Sequence, residues 1–183
     1  MIRIAIPPGA ALRSGNRVSA SRWARLLKDL GYRAHVQEGW AGEPADCLVA
    51  LHARRNARAV RAFRRAYPER PLVVVLTGTD LYRDLRTHAS ARRSLDLADR
   101  LVVLQSEAVE ALPPAVRDCA HVIYQSARPL QVPPTPRRRS FDVACVGHLR
   151  AVKDPMRAAM ASRALPPASR IQVIHAGAAL TPA

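Results

Sequence analysis

Lysine, aromatic residues and acid are all scarce in this chain. Only Lys28 and Lys153 are lysine among the 29 basic residues, and every other cation is an arginine. Aromatic residues make up 4% of the sequence. A stacking nucleic-acid binder needs aromatics interleaved with its basic stripe. No such interleaving, and no RNP, zinc-finger or helix-turn-helix pattern, is present. The net charge of +15 therefore reads as a solvated arginine surface, the amino-acid bias of a GC-rich genome, and no nucleic-acid partner is expected. No apolar run approaches the ~18–20 residues needed to span a bilayer, so no membrane partner is expected either. Cys47, Cys119 and Cys145 are odd in number, far apart and set in apolar runs. That pattern argues against a disulfide framework and predicts buried, reduced thiols. The apolar N-terminus is too short for a signal peptide, which adds to an expectation of a cytoplasmic protein. There is no G-x-G-x-x-G, no G-x-x-x-x-G-K-[ST], no G-x-S-x-G, and no H-x-x-x-H or C-x-x-C spacing. A dinucleotide site, a P-loop and a serine-hydrolase elbow are disfavoured, and no motif calls for a metal or cofactor.

What is present is an alternation of short apolar runs with helical patterns. Strands are predicted at residues 3–6, 32–37, 46–51, 71–76, 100–104 and 121–124. Pro71-Leu-Val-Val-Val-Leu76 is apolar on both faces and β-branched, which marks a central strand of a parallel sheet. Helices are predicted from Arg17, with Val18, Trp23, Leu26, Leu27 and Leu30 near 3.6-residue spacing and Gly31 as the stop, then over 56–67 with Val60 and Phe63 inward, and over 90–98. Ser106 is a candidate N-cap for a further short helix. This is the rhythm of a doubly wound α/β parallel sheet. A stiff Pro/Arg-rich connector covers 129–139, after which a strand (141–146), a helix (about 155–165) and a strand (171–175) follow. The organisation expected is a Rossmann-like domain over 1–128, the linker over 129–139, and an incomplete second Rossmann-like domain, one βαβ unit, over 140–183.

Ligands of open α/β sheets sit outside the carboxyl ends of the strands. The polar groups predicted there are the candidates for function. Gly15, Asn16 and Arg17 precede a helix, whose N-terminal backbone N–H groups attract anions; an ordinary helix-start loop is the alternative. His52 ends a buried strand, as a base or as a structural hydrogen-bonding residue. Thr79 and Asp80, after Thr77-Gly78, could hold a sugar hydroxyl, act as a base or cap the next helix. Gln125 and Ser126 end the last strand of the first domain. Gly147, His148, Arg150 and Lys153 follow the apolar run 141–146. A glycine turn bearing an arginine fork and a lysine point charge suits a diphosphate leaving group; a solvated basic loop is the alternative.

These residues resemble the GT-B fold glycosyltransferases, in particular the large retaining group known as family 4. That group has two Rossmann-like domains facing each other across a cleft, and a G-x-L-x-x-x-K-[DG]-like loop that opens the second; here Gly147, Leu149, Arg150, Lys153 and Asp154 match it. More narrowly, Gly15-Asn16-Arg17-Val18 with residues 22–27, and residues 51–55, 76–85, 98–105 and 146–150, are similar to the selenosugar synthases of selenoneine biosynthesis. The likeness runs over essentially the whole chain. It implies a UDP-sugar donor (UDP-GlcNAc or UDP-glucose) and a small anionic acceptor, selenophosphate. It also implies diphosphate binding by Gly147, His148, Arg150 and Lys153, and a cleft lined by Gly15, Asn16, Arg17, Gln125 and Ser126. His52, Thr79 and Asp80 would then be the catalytic or substrate-positioning residues. One departure is plain: the group's E-x₇-E motif has no counterpart, since no Asp or Glu follows Asp154. The expectation is therefore a C-terminally truncated relative that turns over poorly alone. A non-catalytic nucleotide-sugar or anion-binding module is the alternative, and an arginine-rich nucleic-acid-binding protein comes after it.

Overall fold

In a computed structural model, which describes residues 1–10, 14–133, 135 and 139–179, the chain divides into two compact units, Met1–Ala127 and Arg128–Ala183. The sheet of the first unit comprises β1 (Ile2–Ile6), β2 (Ala34–Glu38), β3 (Cys47–Leu51), β4 (Leu72–Val75), β5 (Arg100–Val103) and β6 (Ala120–Val122). All neighbours pair in parallel, in the order β2-β1-β3-β4-β5-β6. The winding direction reverses between β1 and β3. The helices are α1 (Gly15–Asp29), α2 (Ala57–Ala66), α3 (Leu85–Thr87), α4 (Ala89–Asp96) and α5 (Glu107–Glu110), and a π-helical turn at Asp80–Asp84 leads into α3. This is a Rossmann-like α/β layer structure.

Both faces of the sheet are buried, and the period-two alternation assigns each side chain to a face. Ala5, Leu48, Ala50, Leu72, Val74, Leu101 and Val103 share one cluster with Val60, Phe63, Ala91 and Leu95 from α2 and α4. Ile4, Ile6, Leu51, Val75 and Val102 form the other, against Ala20, Trp23, Ala24 and Leu27 of α1. The α1 stripe differs from expectation. Val18, Leu26 and Leu30 are exposed, because the inward stripe is the 20-23/24-27 set. The helix also starts at Gly15, not Arg17, because Ser14 is the N-cap and its Oγ accepts the Arg17 N–H at 3.4 Å. Gly31 takes φ +86 and ends the helix as predicted. Ser106 precedes α5 but makes no side-chain capping bond. Trp40, Phe63 and Tyr67 meet edge-on with ring centroids 5.3–5.9 Å apart, gathering three of the few aromatics in one corner of the core. The three cysteines are free, as expected, but half-buried.

The reversal point is tied by one side chain. Asn56 Nδ2 donates to the carbonyls of Ala5 at 3.1 Å and Leu51 at 2.6 Å, bridging the carboxyl ends of β1 and β3.

The second unit pairs β7 (Phe141–Val146) with β8 (Ile171–Ala176) in parallel, connected through a 3₁₀ turn (Ala151–Lys153) and α6 (Arg157–Arg163). Residues 134 and 136–138 of the predicted linker lie outside the described residues.

Candidate functional site

Two groups of polar side chains lie at carboxyl ends of strands, one in each unit. In the first unit, His52 follows β3 with φ +77, a left-handed conformation unusual for a residue with a Cβ. Its N–H still donates to Val75 O at 2.8 Å, so the turn is locked to β4. The side chain is buried. Nδ1 accepts the Arg55 N–H at 3.4 Å, which leaves the ring proton on Nε2. Nε2 lies 4.0 Å from Asp84 Oδ2, and Nδ1 lies 3.8 Å from Asp80 Oδ2. Burial holds the imidazole below its usual pKa; the carboxylates of Asp80 and Asp84 pull it up, and Arg55 and Arg54 push it down. His52 is thus neutral near pH 7.

β4 runs out through Gly78, whose φ of +117 suits glycine, into the π-helical turn. Such turns recur at functional sites. Here the turn buries both Asp80 and Asp84. Asp80 Oδ2 accepts the Ala53 N–H at 2.9 Å, and Oδ1 accepts the Thr77 N–H at 2.9 Å and the Thr77 hydroxyl at 3.4 Å. Asp80 therefore joins the loops after β3 and β4. Thr79 occupies the cap position of the turn without a side-chain capping bond. Asp84 Oδ1 accepts from Arg83 Nε at 3.0 Å and faces Arg54 Nη1 at 3.6 Å. Its Oδ2 is buried and has no hydrogen-bond partner among the described residues. Burial raises the Asp84 carboxyl, but the Arg83 hydrogen bond and the charges of Arg83, Arg54 and His52 together outweigh it and hold the group below its usual range.

The remaining candidates of the first unit meet along α1. Gly15 and Asn16 form its first turn. Arg17 Nη2 pairs with Glu38 Oε1 at 2.8 Å and donates to Ala10 O at 3.4 Å, so an internal carboxylate already faces this cation. Gln125 Oε1 accepts from the Ser19 hydroxyl, and Ser126 Oγ accepts from Arg22 Nε, both at 3.1 Å. These contacts hold the segment after β6 against α1.

In the second unit the loops after β7 and β8 interlock. Gly147 N–H donates to Ala176 O at 2.9 Å, Leu149 N–H to Ala178 O at 3.1 Å, and Ala178 N–H to His148 Nδ1 at 3.3 Å. A Cβ on Gly177 would stand 1.9 Å from the Gly147 carbonyl oxygen, so only glycine fits there. After the 3₁₀ turn, Asp154 takes φ +44 and pairs through Oδ2 with Arg157 Nε at 2.7 Å. A cavity of about 330 Å³ opens beside this loop, lined by Gly147, His148, Lys153, Asp154, Arg157 and His175, with Cys145 behind them. That is the lower end of small-ligand pocket sizes. Cys145 and His175 are register partners on β7 and β8. Of the predicted diphosphate set, Gly147, His148 and Lys153 share this cavity; Arg150 is exposed and outside its lining.

Sequence reasoning places Arg54 beside His52 at a strand end without giving it a role, and passes over Arg83, Asp84, Arg157 and His175 as site residues. The four-residue step from Asp80 to Asp84 puts both carboxylates on one face only if the stretch is helical, which the Thr77-Gly78-Thr79 run before it does not signal. His175 had a signal of its own, as the polar residue near the carboxyl end of β8.

The fold and these groups define an α/β protein with a Rossmann-like parallel sheet and its polar side chains gathered at carboxyl ends of strands. In sequence, the chain matches no protein-family profile and no curated protein. Among the described residues, no helix is long and apolar enough to cross a membrane.

Proposed function

We propose that this chain is a GT-B-type glycosyltransferase that moves a hexosyl or N-acetylhexosaminyl group from a UDP-sugar to a small anionic acceptor, selenophosphate, to form a selenosugar. The observation that carries the reading is the second-unit cavity, where a glycine turn, Lys153, His148 and Arg157 line a space of about 330 Å³. Because His148 Nδ1 accepts from Ala178, its Nε2–H is left to donate to a phosphate oxygen. Lys153, with Arg150 on the same loop, offsets the charge that grows on the diphosphate as the bond from sugar C1 to phosphate oxygen breaks. UDP leaves with that bond's electron pair, and the acceptor's selenium bonds to C1. In the first unit, His52 and Asp80 are buried with their polar atoms turned to protein groups, so they hold the loops in place, while Thr79 is more open to a substrate. The test is UDP release by this chain from UDP-GlcNAc and UDP-glucose with selenophosphate, against Lys153→Ala. Equal release from both proteins overturns the reading.

A second reading, a nucleotide-sugar or anion-binding module without turnover, draws support from the same burial of His52 and Asp80. Calorimetric binding of UDP that weakens in Lys153→Ala, with no UDP released from either sugar nucleotide, favours it.

A further inference from the structure

We infer that Arg54 and Arg83 form a second anion site, on the first unit, for a tetrahedral oxyanion of the phosphate class. The two arginines come from different elements, the loop after β3 and the π-helical turn after β4, yet both converge on a single oxygen. Arg83 Nε lies 3.0 Å from Asp84 Oδ1 and Arg54 Nη1 lies 3.6 Å from the same atom. Asp84 is 1% exposed and cannot swing away, whereas the arginine side chains are 40% and 64% exposed. A buried carboxylate thus draws two solvent-facing guanidiniums toward one oxygen, Arg83 through a hydrogen bond and Arg54 through its charge at 3.6 Å.

Each guanidinium has five N–H donors in a fixed fork. Arg83 uses Nε on Asp84 and Arg54 faces it with Nη1, and neither has another polar partner among the described residues. The donors left over belong to solvent-exposed side chains at the carboxyl ends of β3 and β4, where ligands of open α/β sheets are held. The local charges settle the sign of the ligand. Asp80 turns its carboxylate inward onto Ala53 and Thr77, His52 is neutral and buried, and Arg54, Arg55 and Arg83 outnumber the carboxylates of Asp80 and Asp84 around it. A planar, pre-positioned pair of forks is the arrangement that recognises a phosphate-type oxyanion in bidentate fashion, which a mobile lysine pair does not reproduce. Assigning this site to the acceptor rests on the glycosyl-transfer reading; the anion site itself does not.

The experiment is a calorimetric titration of the full chain with inorganic phosphate at low ionic strength, repeated with UDP. One saturable phosphate site in the millimolar range or tighter is expected. Arg54→Gln and Arg83→Gln each weaken it about tenfold, the worth of one charge-assisted hydrogen bond, and leave UDP affinity unchanged. The phosphate site that Arg54→Gln and Arg83→Gln weaken persists in Lys153→Ala. If Arg83→Gln does not fold, Arg83→Lys keeps a cation on Asp84, loses the fork, and still weakens phosphate several-fold. Absence of saturation, equal affinity in the arginine variants, or loss of the phosphate signal in Lys153→Ala overturns the inference. Phosphate binding without any UDP binding sustains it and instead removes the nucleotide-sugar reading.

Discussion

Replacing Asp80 with alanine destabilises the first unit by about 3 kcal/mol. The carboxylate accepts the N–H groups of Ala53 and Thr77, both at 2.9 Å, and Asp80 is fully buried. Hydrogen bonds to a charged group contribute about 1.5–3 kcal/mol each, so the two together amount to roughly 3–6. Removing a buried charge also lifts its desolvation cost, and Thr77 lies closer to solvent than Ala53, so the lower end applies. For a unit of this size the melting temperature falls by roughly 10 °C. Asp80→Asn keeps one acceptor oxygen and turns an NH₂ toward the other donor, and so recovers less than half of the loss. Equilibrium unfolding in urea measures the stability, and amide hydrogen exchange at Ala53 and Thr77 reports whether those two protons become unprotected. A change under about 1 kcal/mol in Asp80→Ala, the size of an ordinary surface substitution, would refute the argument that this side chain locks the two loops.

Three further outcomes are expected. His52 has a lower pKa folded than its value of about 6.5 in the unfolded chain, so between those two pKa values the unfolded chain binds more protons. Its contribution is complete above about pH 6.5 and is lost as pH falls toward the folded value, and His52→Asn, which tolerates the left-handed backbone, flattens that slope in urea titrations across pH. Asp84, depressed as a carboxylate, adds a loss of the same sign at lower pH in both proteins. Gly177→Ala forces a Cβ onto the Gly147 carbonyl oxygen and costs the second unit about 2–3 kcal/mol, seen as faster amide exchange at Gly147 and Leu149 with unchanged protection in β1 to β5. The Cys47 thiol is pushed up to about 11 by burial and by the nearby Asp99 charge, so at pH 8 iodoacetamide modifies it at once in denaturant but only slowly in the native chain.

The sheet was legible because its strands are apolar on both faces. The run 71–76 could only be central, and β4 lies between β3 and β5. Residues 141–146 and 171–175 match β7 and β8 to within one residue. Boundaries slipped where a cap, not hydrophobicity, sets the end, as at Ser14. The exposed Val18, Leu26 and Leu30 show why apolar spacing alone misplaces a helix stripe when alanines line the real one. In the sites, single residues flagged by position were found near strand ends, but their partners were not. Nothing in the string says that Asp84 will collect Arg54 across 30 residues, because that meeting depends on a π-helical turn and a left-handed histidine. Arg17 likewise reads as a free cation until the fold brings Glu38 to it.

Asn56 has a consequence for where a ligand can enter. In open parallel sheets the natural doorway is the gap where successive strands part to opposite sides, here between β1 and β3. A single amide bolts that doorway from the inside by taking a carbonyl from each jamb. Alanine at position 56 would leave both carbonyls without that donor and untie the two strand ends at the switch point.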